Sequence, residues 1–354
     1  MYFRATYFHN FRNLHFGRRN WAPGFNLIAG PNGAGKTNFI EGLSLISGWG
    51  PLERMTKIPS LLRWDVDGGR RASLWGGVGG EEETEVLAGI TTRCSLRCGD
   101  KAVSAGTMRS TLPVLPFTAD QISLIRGGAS CRRQFLDKVC ALVVPPYALR
   151  LYDYKKALRQ KSALLRRGCE ATIADRVLVP LGAWIWGIRG EVVGLVSAAL
   201  HAYRELLPAP LALSFLRGGA PCRKPEPDAE GEMRRAILEN RERERFAKRP
   251  LVGPQRDDVH ISCEGRPAAV ALSRGQSRRA ASSVILAAAA VVERSLRRRP
   301  VLLFDELTSE LDADGRRFTA DALLRTGYQV FATTTEPLEY RGVTVHEMRA
   351  GAFA

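Results

Sequence analysis

The sequence predicts an α/β protein: a parallel or mixed sheet around one glycine-bounded helix, assembled from both ends of the chain and interrupted by a helical lobe. Three observations predict it. A short apolar strand at Asn26–Ala29 runs into a glycine-rich loop and then an apolar-periodic helix, Lys36–Ser47, closed by Gly48 and Gly50. A second apolar run, Val301–Phe304, reads as a buried parallel strand and ends in two carboxylates. Between them, from Cys131 to about Leu207, the pattern turns helical. The expected domains are 1–118 with 250–354 as one discontinuous unit, and 119–249 as the lobe.

Along the first third, Tyr2–Tyr7 and Leu14–Phe16 read as strands joined by a turn over residues 9–13. Glu85–Thr92 and Ser95–Arg97 alternate as strands, and Gly99-Asp100 turns the chain into Ala102-Val103. In the middle, Tyr147–Leu165 carries apolar or aromatic residues at helical spacing, with Lys155, Lys156, Arg159 and Lys161 placed opposite. Gly182–Leu206 is a second helical stretch, ended by Pro208 and Pro210, and Pro221–Pro227 is a loop. Glu230–Lys248 alternates Glu and Arg and is expected to be a solvent-exposed helix. The last third returns to α/β: a strand at Val259–Cys263, an Ala-rich helix at Gln276–Leu296, a helix at Asp314–Leu324 and a strand at Gln329–Thr334.

Composition narrows the function. Hydrophobic residues make up 45% and charged residues 25%, the balance of a globular rather than a disordered chain. No run reaches the ~18 apolar residues a membrane helix needs, because Pro180, Arg189 and Glu191 interrupt Val177–Leu200. The N-terminus lacks a signal-peptide layout. The seven cysteines contain no C-x-x-C pair, so neither a zinc site nor a disulfide framework is signalled. Cys94 and Cys98 are close enough in sequence to meet on a hairpin, but reduced thiols are the expectation. The formal charge is +16, carried by 52 Lys and Arg of which only nine are Lys. Arg forks suit phosphate groups, so the excess points to a polyanionic partner rather than a membrane surface.

The chemistry sits in three segments. Gly30-Pro31-Asn32-Gly33-Ala34-Gly35-Lys36-Thr37 fits the phosphate loop G-x-x-x-x-G-K-[ST], followed by Asn38 on the helix. Its glycines let backbone N–H groups cradle phosphate oxygens, Lys36 supplies a mobile charge to the β and γ phosphates, and the Thr37 hydroxyl is a ligand for Mg²⁺. Asp305, at the end of an apolar strand, belongs beside the same Mg²⁺, and Glu306 is placed to polarise an attacking water. Ser273 and Gly275, at the start of the Ala-rich helix, form a second anion site from free helix N–H groups.

In this order the three segments resemble ABC-type ATPases, with Leu272–Gln276 as the signature and Ser309–Asp312 as the loop that crosses a dimer interface. The long basic insert is unlike a transporter's ATPase subunit and too short for a long coiled coil. The residues are most similar to the RecF family of bacterial recombination-mediator ATPases. The resemblance runs through Phe8–Leu14 (N-F-R-N), the loop after Asn26, Phe117–Gln121, Leu124–Gly127, Arg132–Asp137, Tyr152–Leu165, Gly253–Asp258 (G-P-x-R-D-D) and Phe331–Thr335. Gln255 stands where the family pattern has His, Asp120-Gln121 where it has Glu-Asp, Arg274 where many relatives have Gln, and the stretch after Gly50 matches only at Arg54.

The resemblance implies an ABC-type ATPase head that binds ATP and Mg²⁺, hydrolyses ATP slowly in a DNA-stimulated way, and dimerises with ATP on double-stranded or gapped DNA. It implies a cytoplasmic protein of DNA repair, replication, recombination and the SOS response, working with RecO- and RecR-like mediators to load a recombinase. It adds Arg12 and Gln121 as nucleotide contacts, and makes Ser273 and Gly275 of one subunit complete the site of the other. The alternatives are a solitary ABC ATPase of a defence system, or, further off, the ATPase subunit of a transporter. Arg126, Arg132 and Arg133 could face nucleotide or DNA, and the Lys155–Lys161 face could contact DNA or merely solvent.

Overall fold

The computed structural model describes residues 1–354 except 53–55, 64–70, 81–82, 118–121, 208, 220–227, 308–312 and 336–339. The chain forms two compact units, Met1–Ile122 with Arg274–Ala354, and Ser123–Ser273.

In the first unit the described residues build two six-stranded sheets. One is antiparallel, in the order Leu14–Asn20, Tyr2–Phe11, Ala72–Gly79, Thr84–Ile90, Cys94–Cys98, Lys101–Val103. The other is mainly parallel: Ala352–Phe353, Val343–Arg349, Phe25–Ala29, Val330–Thr334, Val301–Phe304, Val114–Phe117. Only the Ala352–Phe353 pairing in it is antiparallel. The central strands Phe25–Ala29, Val301–Phe304 and Val330–Thr334 are buried at every residue, which is why they read as unbroken apolar runs rather than alternations.

The helix Lys36–Ile46 contacts strands of both sheets. Phe39, Ile40, Leu43 and Ile46 are fully buried there among Phe3, Phe8, Phe11, Trp21, Leu74, Leu303 and Phe331. At ~1.5–3 kcal/mol per large apolar side chain, this shared core is what holds the two sheets around the helix. The first strand continues to Phe11, into the turn expected at residues 9–13, with irregular register and a left-handed Asn10, and the chain turns at Arg12, itself left-handed, and Asn13. The Ala-rich helix spans Arg274–Leu296 and contacts the helix Ala313–Thr326.

The second unit is mostly helical: Ala129–Val143, Tyr147–Arg166, Thr172–Ala199 with a 3₁₀ extension to Leu206, Ala229–Glu239 and Arg241–Ala247. A three-stranded antiparallel sheet packs with them, in which Asp258–Cys263 lies between Leu211–Leu216 and Arg266–Pro267. Residues 250–273, expected with the ends of the chain, lie in this unit because their strand pairs with Leu211–Leu216.

Three sequence expectations change here. Glu230–Lys248 is two helices with a buried face, including Met233, Ala236 and Ile237, rather than one exposed helix. Lys161 is not on the basic outer face: it is 2% exposed and paired with Asp175 and Glu244 at 2.8 and 2.6 Å. And the second helical stretch begins at Thr172 rather than Gly182, and runs through Pro180 to Ala199 before its 3₁₀ extension. Its length and apolar composition alone would suit a membrane span, as those of a soluble core helix also do, but Arg189 within it pairs with Asp137 and Asp257 and Glu191 is exposed. Cys94 and Cys98 are both free thiols on one strand.

Candidate nucleotide-binding site

The glycine loop leaves the carboxyl end of Phe25–Ala29 and enters the helix at Lys36. Gly33 and Gly35 have φ of 80° and 103°, left-handed conformations that a side chain would strain. Gly30 is required for a different reason: a Cβ there would lie 2.2 Å from the Met348 carbonyl oxygen. Pro31, Asn32, Gly33 and Thr37 are exposed, whereas Ala34, Gly35 and Lys36 are buried and Asn38 is half-buried. The first helical turn itself carries no acidic residue, so its own sequence leaves the positive helix end at the loop uncompensated.

Lys36 Nζ donates to the carbonyl oxygens of Gly30 and Pro31 at 2.8 and 2.9 Å, which holds the amine over the loop. Its burial lowers its pKa, and the nearby Asp305 and Glu306 oppose that shift. Thr37 Oγ1 donates to Asp305 Oδ2 at 2.8 Å. Thr333 Oγ1 donates to the other carboxylate oxygen, Asp305 Oδ1, at 2.6 Å and accepts the Glu306 N–H at 2.8 Å. The Asp305 N–H donates to Phe117 O at 2.9 Å on the opposite side. Glu306 is exposed and left-handed, with φ of 55°.

The structure thus brings together the loop, Thr37, Asp305 and Glu306. A hydroxyl and a single carboxylate form an oxygen donor set suited to a hard cation such as Mg²⁺, which takes its remaining ligands from water and phosphate. Among the described residues no cluster of three or more His, Cys, Asp or Glu offers a richer metal site.

Other predicted residues fall elsewhere. Arg12 turns to the phosphate-loop helix, where Nε and an NH2 group reach Glu41 at 3.0 and 2.8 Å, and Glu41 also accepts the Leu52 N–H. Ser273 is exposed just before the helix Arg274–Leu296, and Gly275 lies half-buried in its first turn. One helical turn further, the guanidinium of Arg278 donates to the carbonyls of Glu306 and Leu307, both at 3.4 Å. Gln121 and Ser309–Asp312 lie outside the described residues, as do Ala119, Asp120, Arg54 and Pro221–Pro227.

Two of the family-like stretches meet inside the second unit. Arg132 forks onto Asp258 at 2.7 and 2.9 Å, Arg133 donates to Asp257 O, and Arg126 donates to Leu272 O. Arg189 joins Asp137 and Asp257 at 2.7 and 2.6 Å and also donates to Tyr147 and Pro254 O. Burial opposes the Arg189 charge, and Asp137, Tyr147 and Asp257 more than restore it. Trp186 and the Gly218 N–H complete Asp257. Gln255, in the family's His position, accepts from the Tyr154 hydroxyl and donates to Val252 O.

Sequence reasoning did not single out Asn13, Glu41, Thr333 or the C-terminal hairpin. Asn13 donates to Gly33 O at 3.4 Å and accepts from Asn38 at 2.7 Å, bracing the loop from the side. The Gly351 N–H donates to Ala34 O at 2.8 Å, and its own carbonyl accepts the His15 N–H at 3.0 Å. Asn13 and Thr333 do lie in the motif-like stretches Phe8–Leu14 and Phe331–Thr335, a signal that was available; Gly351 had none.

No family model matches the chain. Proteins called "DNA replication and repair protein RecF" do. That of Anaeromyxobacter sp. (strain Fw109-5) is 30% identical over 334 residues, covering 92% of this chain and 90% of the relative. That of Brucella suis biovar 1 (strain 1330) is 30% identical over 339 residues, covering 92% and 88%, and that of Myxococcus xanthus (strain DK1622) is 28% identical over 363, covering 97% and 93%. Among solved structures, the recombination mediator protein RecF with ATP in the RecFOR pathway superposes with a TM-score of 0.85 at 24% identity, covering 100% of this chain and 97% of that one. An Smc head bound to a winged-helix domain of ScpA gives 0.56 at 14% identity over 100% and 96%. The fold is therefore that of an ABC-type ATPase head carrying a helical lobe, and, with relatives 30% identical over nearly their whole length, the chain belongs to the RecF family.

Proposed function

We propose that this protein is an ATP-dependent DNA-binding protein of recombinational repair and replication, a cytoplasmic ATPase that closes as a homodimer on double-stranded or gapped DNA. The observation that carries the reading is the 2.8 Å contact between Thr37 and Asp305, which joins the phosphate loop to the strand-end carboxylate in one oxygen-lined centre. The relatives are called DNA replication and repair proteins, and a structural neighbour is described with ATP in the RecFOR pathway. RecO- and RecR-like partners are the matching mediators.

The residues divide the work. Backbone N–H groups of the loop from Gly30 to Thr37 and the helix end bind the triphosphate. Lys36 exchanges its two carbonyl partners for phosphate oxygens. Thr37 and Asp305 would hold Mg²⁺, which would supply charge neutralisation at the phosphates. Glu306 orients and deprotonates the attacking water. Ser273 and Gly275 of a second copy close on the γ-phosphate, so hydrolysis removes the contact that holds the dimer. The +16 charge then meets the DNA backbone without reading bases, and loses affinity steeply with salt.

The test is ATP turnover against protein concentration, with and without duplex or gapped DNA, at low and high salt. Specific activity that climbs with concentration, and climbs further with DNA in a salt-sensitive way, supports the reading. Activity flat in concentration and indifferent to DNA overturns it.

A further inference from the structure

The strands Val301–Phe304 and Val330–Thr334 run parallel, and their last paired residues are Phe304 and Ala332. The next residue on each is therefore Asp305 beside Thr333. Thr333 is fully buried, and its hydroxyl has one proton to give. That proton goes to Asp305 Oδ1 at 2.6 Å, so the hydroxyl oxygen is left to accept the Glu306 N–H at 2.8 Å. The Thr333 carbonyl takes the next amide, Leu307 N–H, at 3.0 Å. One residue thus engages three consecutive positions, 305 to 307.

Those positions need holding. Glu306 is left-handed, with φ of 55°, a conformation a non-glycine residue keeps only where its surroundings impose it. The two amides that follow the strand end bind a hydroxyl and a carbonyl of the neighbouring strand instead of continuing the sheet. The Asp305 carboxylate is divided in the same way: Oδ1 is tied to Thr333, which leaves Oδ2 turned to Thr37 at 2.8 Å.

We infer that Thr333 is a positioning residue for both carboxylates: its hydroxyl aims Asp305 Oδ2 at the Thr37 side of the site and holds the left-handed turn that presents Glu306. This rests on the ATPase reading above. Thr333 itself touches no phosphate in this account, so its removal should affect the chemical step rather than nucleotide capture.

The experiment compares wild type, Thr333→Val, Thr333→Ser and Lys36→Met for steady-state ATP hydrolysis and for binding of a fluorescent ATP analogue. Valine keeps the shape and deletes the hydroxyl. The expected result is a kcat lowered roughly 10- to 100-fold in Thr333→Val, as for other partners that orient a metal-binding carboxylate. Analogue affinity and KM should change less than about threefold, the split expected of a group that acts on the transition state. Thr333→Ser should recover most of the rate, because it restores the donor and acceptor. A Thr333→Val protein with wild-type kcat overturns the inference. So does a matched loss of rate and nucleotide affinity in both the Val and Ser variants, which would mean a purely structural role. If wild-type hydrolysis survives Lys36→Met, the reading of the site has failed and Thr333 falls with it, an outcome distinct from the other two.

Discussion

Thr37 and Asp305 are separated by 268 positions in sequence and joined by a 2.8 Å hydrogen bond. The hydroxyl opens the phosphate-loop helix, and the carboxylate ends a strand laid two places away in the sheet, with Val330–Thr334 between. Asp305→Ala should therefore remove the Mg²⁺ dependence of nucleotide binding while leaving the loop. ATP affinity measured with and without Mg²⁺ should differ by at least about tenfold in wild type, and hardly at all in the variant.

Ser273 and Glu306 report on dimerisation in opposite senses. Ser273→Arg, at an exposed position, should bind ATP normally and fail to dimerise with it. Glu306→Gln should bind ATP and accumulate as a closed dimer, because the water is no longer activated. Sedimentation of both variants with ATP decides the matter: a Ser273→Arg dimer breaks the composite site, and a monomeric Glu306→Gln removes Glu306 as the base.

Gly351 fastens the C-terminal hairpin under the phosphate loop. It has φ of 84°, and a Cβ would sit 1.9 Å from Asn13 O. Gly351→Ala should cost about 1–2 kcal/mol for the conformation alone, and more for the clash. It should release Ala34 O as well, so ATP affinity should fall while the far-UV dichroism of the helical unit is kept.

His346 gives the first unit an acid-sensitive joint. It is 7% exposed, and burial together with Arg19 lowers its pKa from 6.5 to about 4. The neutral ring suits its neighbours: one nitrogen faces Arg19 at 3.3 Å and the other faces Asn26 Oδ1 at 3.1 Å. The unfolded chain binds this proton near pH 6.5 and the folded chain only near pH 4. The stabilisation is therefore complete above 6.5 and is lost as pH falls toward 4. Going from pH 7 to pH 5 should cost about 2 kcal/mol from this residue. Denaturant unfolding of His346→Gln should show a shallower loss over that interval.

Arg189 is the charged centre of the helical unit, 2% exposed and paired with Asp137 and Asp257. Arg189→Met leaves the fully buried Asp257 carboxylate without its cation and should destabilise that unit by about 3–5 kcal/mol. The lowest thermal transition should drop accordingly, with ATP binding measured below it retained.

Much of this molecule was legible because the informative signals are local. The glycine spacing from Gly30 to Gly35 prescribes a loop whatever surrounds it. Four apolar residues before Asp305 prescribe a buried strand with a carboxylate at its end, and the Ala-rich run prescribes a buried helix. What remained illegible depends on contacts between distant segments. Lys161 looked solvent-facing because nothing near it in sequence announces Asp175 and Glu244 as partners. Arg126, Arg132 and Arg133 could be read toward nucleotide or DNA, and their contacts to Leu272 O, Asp258 and Asp257 O come from segments more than a hundred positions away.

The sequence by itself determined the chemistry: a phosphate loop, its lysine and hydroxyl, and a paired carboxylate, because backbone conformation and side-chain type are set within a few residues. Only the tertiary structure decided which groups orient that chemistry. Thr333 on the adjacent strand, Glu41 opposite Arg12, and Gly351 beneath Ala34 act across pairings whose register is set by burial of whole strands, and no spacing along the chain encodes it.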